Sequence, residues 1–132
     1  QGGAALVIDY GHVASAIGDT LQALGRHAFA DPFATPGALD LTAHVDFAAL
    51  TRAIVSAGAT AFGPITQGEL LQRLGIAARA ARLKEKAAPE VAARIDSAVA
   101  RLTGAGRTEM GTLFKAMAFA HPALGAPPAF AA

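Results

Sequence analysis

Asp40, Thr42, His44 and Asp46 recur at every second position of Leu39-Asp-Leu-Thr-Ala-His-Val-Asp-Phe47. Read as extended chain, this period puts the four polar groups on one side and Leu41, Ala43, Val45 and Phe47 on the other. Two carboxylates, a hydroxyl and an imidazole on one edge could move protons, and His44 is the group suited to accept or relay one near neutral pH. One His and two carboxylates could also ligate iron or manganese. Three ligands donated by one loop at two-residue spacing would close a shell poorly, so no metal is assigned. Asp46 has a plainer role as the N-cap of a following helix.

A second group precedes it. Residues 4–8, Ala-Ala-Leu-Val-Ile, run into Asp9-Tyr10-Gly11-His12. An apolar run of this length reads as a strand covered on both faces, and Asp9 and Tyr10 then stand at its carboxyl end, where α/β sheets place their ligands. Gly11 suits a sharp turn there. The candidate catalytic residues are therefore His44, Asp9, Asp40 and Asp46, with Tyr10, Thr42 and Gln67 as substrate contacts. Gln67 enters because Thr66-Gln-Gly-Glu69 is a capping-box pattern, whose helix start would present polar groups to a cleft. Lys115 reads as a snorkelling strand residue. His12, His27 and His121 read as surface or loop residues, and Arg79, Arg82, Lys84 and Lys86 as a solvated helix face.

The elements that must position these groups follow from periodicity. Asp19 is expected to cap a short helix over residues 21–24, ended by Gly25, and residues 31–39, with Pro32, Pro36 and Gly37, form a loop. Phe47, Leu50 and Ile54 make the apolar stripe of a helix that stops at Gly58. Residues 60–65 read as a strand interrupted at Gly63-Pro64. Helices follow over Leu70–Leu74, over residues 76–86, and from Pro89 through Val91, Ile95, Val99 and Leu102. Residues 103–108 form a turn and 111–119 a last strand. The Pro, Gly and Ala tail of residues 121–132 lies over the surface or is poorly ordered. This order is α/β organisation.

Composition bounds the function. The 132 residues carry a formal charge of +1, which gives no basis for nucleic-acid or membrane-surface binding by charge. Of these residues, 53% are hydrophobic, but 35 are alanine, so the core is smaller than that fraction suggests. No cysteine is present, which removes disulfides and thiol chemistry. No apolar run approaches the roughly 20 residues of a membrane helix, so no membrane insertion is expected. The chain opens on Gln and enters an apolar strand almost at once; we expect the C-terminal part of a longer protein.

Six segments carry a resemblance. Ala5-Leu-Val-Ile-Asp-Tyr-Gly11, Gly18-Asp-Thr-Leu-Gln22, Asp40-Leu-Thr-Ala-His-Val-Asp-Phe47, Gly63-Pro-Ile-Thr-Gln-Gly68, Leu74-Gly-Ile76 and Met110-Gly-Thr-Leu-Phe-Lys115 occur in order along nearly the whole chain. Together they resemble the MidA family of class I S-adenosylmethionine-dependent methyltransferases, which includes the mitochondrial enzyme needed for respiratory complex I assembly. The resemblance implies a Rossmann-like fold of which residues 1–120 are the distal half. Residues 4–8 would be its fifth strand, 60–65 its sixth, and the last strand its seventh, antiparallel and inserted between them after a helical elaboration. It implies S-adenosylmethionine as cofactor, a protein arginine as acceptor, and a location in the bacterial cytoplasm or the mitochondrial matrix.

The departures matter equally. The family holds its cofactor with a Gly-rich turn after the first strand and an acidic residue after the second, and neither is here. Gly104-Ala-Gly106 follows a helix and is no substitute. The cofactor would thus be bound mainly by a missing N-terminal half, and this chain alone would be inactive. The alternative is a non-catalytic binding or assembly module that keeps half of the fold. A nicotinamide-dependent oxidoreductase is disfavoured, since no Gly-x-Gly-x-x-Gly turn follows a strand. An interior strand left at an open edge would also invite self-association into a homo-oligomer.

Overall fold

The computed structural model describes residues 2–26, 28–106 and 109–131. His27 lies outside them, as do the last two residues of the turn expected over 103–108. The elements are β1 (Ala4–His12), β2 (Gln22–Gly25), β3 (Ala28–Ala30), β4 (Asp40–Thr42), β5 (Val45–Asp46), α1 (Phe47–Ser56), β6 (Thr60–Thr66), α2 (Gln67–Arg73), α3 (Ile76–Lys84), α4 (Pro89–Thr103) and β7 (Phe114–Ala120). The result is a mixed α/β fold with two sheets.

The main sheet has the order β5-β1-β7-β6. β7 runs antiparallel to both neighbours, pairing Ala4 with Ala120 through Tyr10 with Phe114 on one side and Thr60 with Ala120 through Thr66 with Lys115 on the other. The last strand is therefore inserted between the first and the one that follows α1, as expected. Phe47, Ile54 and Met117 form the core under α1, joined by Val7, Val45, Leu50, Ala59, Ala61 and Phe119. Ala116, Ala118 and Ala120 alternate with Met117 and Phe119, so they point to the other face, and they are also buried.

The helix signals behave as their chemistry requires. Asp46 caps α1, its Oδ1 accepting the Ala49 N–H at 2.9 Å. Gly58 follows with φ 81°, the left-handed conformation that lets the chain leave the helix. Thr66 caps α2 by accepting the Glu69 N–H at 3.1 Å. The capping box is only half formed, because the Glu69 carboxylate turns outward to Arg73 one turn along. The tail lies against the body of the protein, where Arg73 Nη1 donates to the Ala129 carbonyl at 2.9 Å.

Four expectations are corrected. Residues 22–25 are the strand β2, not a helix: the Asp19 carboxylate accepts the Leu21 N–H at 2.8 Å and makes a turn, and β2 then finds strand partners on both sides. Gly11 is not a turn, because β1 continues to His12 and pairs Gly11 with Val45 in parallel. Glycine is required there by space: a Cβ would strike the Val45 carbonyl oxygen and lie 2.9 Å from Phe47 Cε2. β1 is not covered on both faces, since Leu6 is 52% and Ile8 45% exposed. The last strand starts at Phe114 rather than at residue 111, because Gly111 is held in a turn against Gly68 and Gly104.

Candidate functional site

The extended reading of residues 39–47 breaks at Ala43 and His44. Before the break, β4 pairs with β2 in a three-stranded sheet of order β3-β2-β4; after it, β5 pairs with β1 of the main sheet. One segment thus ties the two sheets together and leaves His44 at the crossing. Leu41 and Phe47 share the apolar side of that pattern, yet Leu41 is 59% exposed and Phe47 is wholly buried. The alternation holds within each short strand and fails across the joint.

A cleft of about 360 Å³ lies at this crossing, lined by Tyr10, Gln22, Leu24, Phe29, Thr42, His44 and Leu113. Tyr10 comes from the carboxyl end of β1. It meets His44 edge-on at a centroid distance of 5.6 Å and its cross-strand partner Phe114 at 5.4 Å. His44 is held from the other side by the loop before β2 and by the first residue of β2. Its backbone N–H donates to Thr20 Oγ1 at 3.2 Å, and its Nε2 lies 3.3 Å from Gln22 Nε2. With that amide as donor, Nε2 accepts and the ring proton sits on Nδ1. The walls are largely apolar and aromatic, with one imidazole, one hydroxyl, one phenol and one amide converging on them. That mix suits a side chain with an apolar stem and a polar head.

The structure brings together Tyr10, Thr42 and His44, and it sends Asp9, Asp46 and Gln67 elsewhere. Asp9 alternates with Tyr10 and so points to the opposite face of β1; its carboxylate accepts the Tyr10 N–H at 2.8 Å. Asp46 faces the loop after β1, accepting from the Ser15 hydroxyl at 2.6 Å while it caps α1. The Ser15 bond, the Ala49 N–H and the nearby His12 and Arg52 charges hold its carboxyl below the ordinary value of 3.8. Gln67 is buried at the start of α2 and donates to the Leu102 carbonyl at 2.9 Å, which joins α2 to α4. Asp40 is exposed and outside the cleft lining. Among the described residues, no three His, Cys, Asp or Glu side chains are arranged to hold a metal ion.

Lys115 Nζ donates to the Thr112 and Leu113 carbonyls at the protein surface, and partial burial lowers its pKa. Four lining residues escape the sequence reading: Gln22, Leu24, Phe29 and Leu113. The first two fit a period-two pair on a strand, a pattern hidden by the helix-like framing of Asp19 and Gly25.

A larger open depression of about 550 Å³, lined by Ser97, Ala100, Arg101 and Glu109, sits away from these residues. Beside it, the Gly104-Ala-Gly106 turn is already filled by an internal carboxylate. Glu109 Oε2 accepts the Gly106 N–H at 2.6 Å and blocks the space over Gly104.

The chain is similar to known proteins over most of its length. A family model described as "Putative S-adenosyl-L-methionine-dependent methyltransferase" matches residues 1–65. A Drosophila melanogaster protein named protein arginine methyltransferase NDUFAF7 homolog, mitochondrial, is 40% identical over 119 residues, which are 89% of this chain and 26% of the relative. This chain belongs to the MidA-type methyltransferase family. The human protein arginine methyltransferase NDUFAF7, mitochondrial, is 41% identical over 85 residues, 64% of this chain and 19% of the relative. Two crystal structures from Burkholderia thailandensis each cover 97% of this chain. One, of an uncharacterized protein, has a TM-score of 0.85 at 36% identity; the other, bound to S-adenosyl-homocysteine, has 0.78 at 37%. This MidA-type chain spans 35% and 34% of those two proteins.

The described residues do not fit a complete site for the family's methyl donor. Its methionine carboxylate needs free backbone N–H groups at a glycine turn, and its ribose needs a carboxylate. The Gly104–Gly106 turn is taken by Glu109, and no carboxylate lines the Tyr10 cleft.

Proposed function

We propose that this chain is the distal, acceptor-side part of an S-adenosylmethionine-dependent protein arginine methyltransferase, with the cofactor held mainly by sequence outside these 132 residues. The observation that carries the reading is the Tyr10–Thr42–His44 cleft at the carboxyl end of β1, in a chain whose fold matches a protein bound to S-adenosyl-homocysteine. In this reading β1, β6 and β7 are the fifth, sixth and seventh strands of the methyltransferase sheet. An arginine side chain suits the cleft: its stem would lie on Leu24 and Leu113, and its planar cationic head would meet the Tyr10 and His44 rings. A guanidinium nitrogen that gains a methyl group must release a proton, and His44 is the cleft residue able to accept it, at Nε2, once the acceptor displaces the Gln22 amide from that nitrogen. Tyr10 and Thr42 bind and orient the acceptor. Asp9, Asp46 and Gln67 act through the backbone: Asp9 fixes the Tyr10 N–H, Asp46 anchors the start of α1, and Gln67 joins α2 to α4. For a eukaryotic member, the reading carries over the mitochondrial location in its relatives' names, and the family resemblance adds a role in respiratory complex I assembly.

The poor fit to the cofactor favours one alternative, a non-catalytic binding or assembly module. Calorimetry with S-adenosylmethionine on this chain and on a form extended to the length of its relatives decides between them. Binding and arginine-peptide methylation by the extended form alone support the methyltransferase reading. Binding by neither form refutes it in favour of the module.

A further inference from the structure

The three-stranded sheet turns one face toward the cleft. In its register Gln22 stands opposite Thr42, and Leu24 stands between Phe29 on one side and Asp40 on the other. Directly paired residues project to the same face, with Cβ atoms about 5 Å apart. Gln22, Leu24, Phe29, Thr42 and Asp40 therefore share that face, and all but Asp40 line the cleft. Asp40 stands at the rim, across the strand from Leu24 and two residues along it from Thr42. The ion pairs among the described residues are Glu69–Arg73 and Lys84–Asp96, so Asp40 is in none of them. Among the described residues no carboxylate lines the cleft, whose polar groups are the Tyr10 phenol, the Gln22 amide, the Thr42 hydroxyl and the His44 imidazole. Asp40 is thus the carboxylate that shares this face with the residues lining the cleft.

We propose that Asp40 selects a cationic side chain for this cleft, a specificity role that rests on the acceptor-cleft reading above. The carboxylate attracts a guanidinium from solvent and accepts its N–H groups as the stem settles on Leu24. A neutral side chain of the same shape gains the apolar contact without the charge-assisted bond. The discrimination is then set by a residue of the small sheet, apart from the His44 chemistry.

Tyr10 is the sole tyrosine and the chain has no tryptophan, so intrinsic emission reports on this cleft alone. The probes are acetyl-Gly-Arg-Gly-amide and its citrulline twin, a neutral isostere, titrated into the intact chain and into Asp40→Asn and Asp40→Lys. We expect the wild type to bind the arginine peptide about five- to tenfold more tightly than the citrulline peptide, the range for one charged hydrogen bond at a solvent-exposed rim. Asp40→Asn should bind the two alike, Asp40→Lys should reverse the order, and salt should erode the wild-type preference. Equal binding or no binding of the two probes by wild type, or a preference that survives in both variants, overturns the assignment. Methyl transfer by the extended form is scored separately. Transfer without an Asp40-dependent preference removes only this inference, and a preference without transfer removes only the methyltransferase reading.

Discussion

Gly11→Ala is the sharpest perturbation of the joint that builds the cleft. A methyl group at residue 11 would run into the Val45 carbonyl oxygen and lie 2.9 Å from the Phe47 ring. Neither neighbour can yield easily. Phe47 is wholly buried against Ile54 and Met117, and Val45 is the residue that pairs with Gly11. Relief requires β5 to move off β1. Overpacking of this kind costs about 1–3 kcal/mol, and each backbone hydrogen bond lost between the strands adds roughly 0.5–1.5 kcal/mol. We expect a total of about 2–4 kcal/mol, or a drop in Tm of roughly 10 °C for a chain of this size. His44 directly precedes Val45, so the Tyr10–His44 contact should open as well. Thermal unfolding followed by circular dichroism gives the first quantity and Tyr10 emission the second. Gly18→Ala, where a Cβ meets nothing within 4 Å, is the matched control and should change little. A Gly11→Ala protein with wild-type Tm and unchanged Tyr10 emission would show that the β1–β5 approach is not as close as described.

In the extended form, His44→Ala should lower methyl transfer to an arginine peptide by about a hundredfold or more, as expected for loss of an acid–base group, while Tm and S-adenosylmethionine affinity stay near wild type; undiminished turnover would remove His44 from the chemistry. Asp46 prefers its charged form in the fold, so its contribution is complete above pH 3.8 and is lost as pH falls through its lowered folded value. The Tm of Asp46→Asn should therefore fall less steeply than wild type in acid, and parallel acid limbs would refute this. Thr66→Ala should destabilise by about 1 kcal/mol through loss of the α2 cap, and urea denaturation with no shift of midpoint would contradict that role. Leu6 and Ile8 lie exposed on a strand whose outer edge pairs only at Gly11 and His12. We expect this chain to self-associate, and Leu6→Thr with Ile8→Thr to weaken that association; sedimentation of both forms as the same monomer would refute the exposed-face argument.

What was legible in the sequence is what short-range chemistry decides. Asp46 and Thr66 cap helices because their side chains reach a backbone N–H three residues on, and the Phe47–Leu50–Ile54 stripe follows from helical pitch alone. The six segments that carry the family resemblance were legible in the same way, as residues in order. The site was only half legible. Tyr10, Thr42 and His44 meet because β1 ends beside a segment that leaves one sheet for another between Ala43 and His44, and no local pattern marks a change of sheet. Period two within residues 39–47 is the same whether the strand continues or breaks, so it put Asp40 and Asp46 beside His44 when tertiary pairing turns Asp46 toward Ser15 and leaves Asp40 at the rim. Asp19 before Leu21–Leu24 fits a helix cap and an Asx turn equally well, and only the arrival of β3 and β4 on either side makes β2 a strand. Gly11 shows the same limit in one residue: its conformation needs no glycine, and the carbonyl that demands one belongs to Val45, thirty-four positions away along the chain.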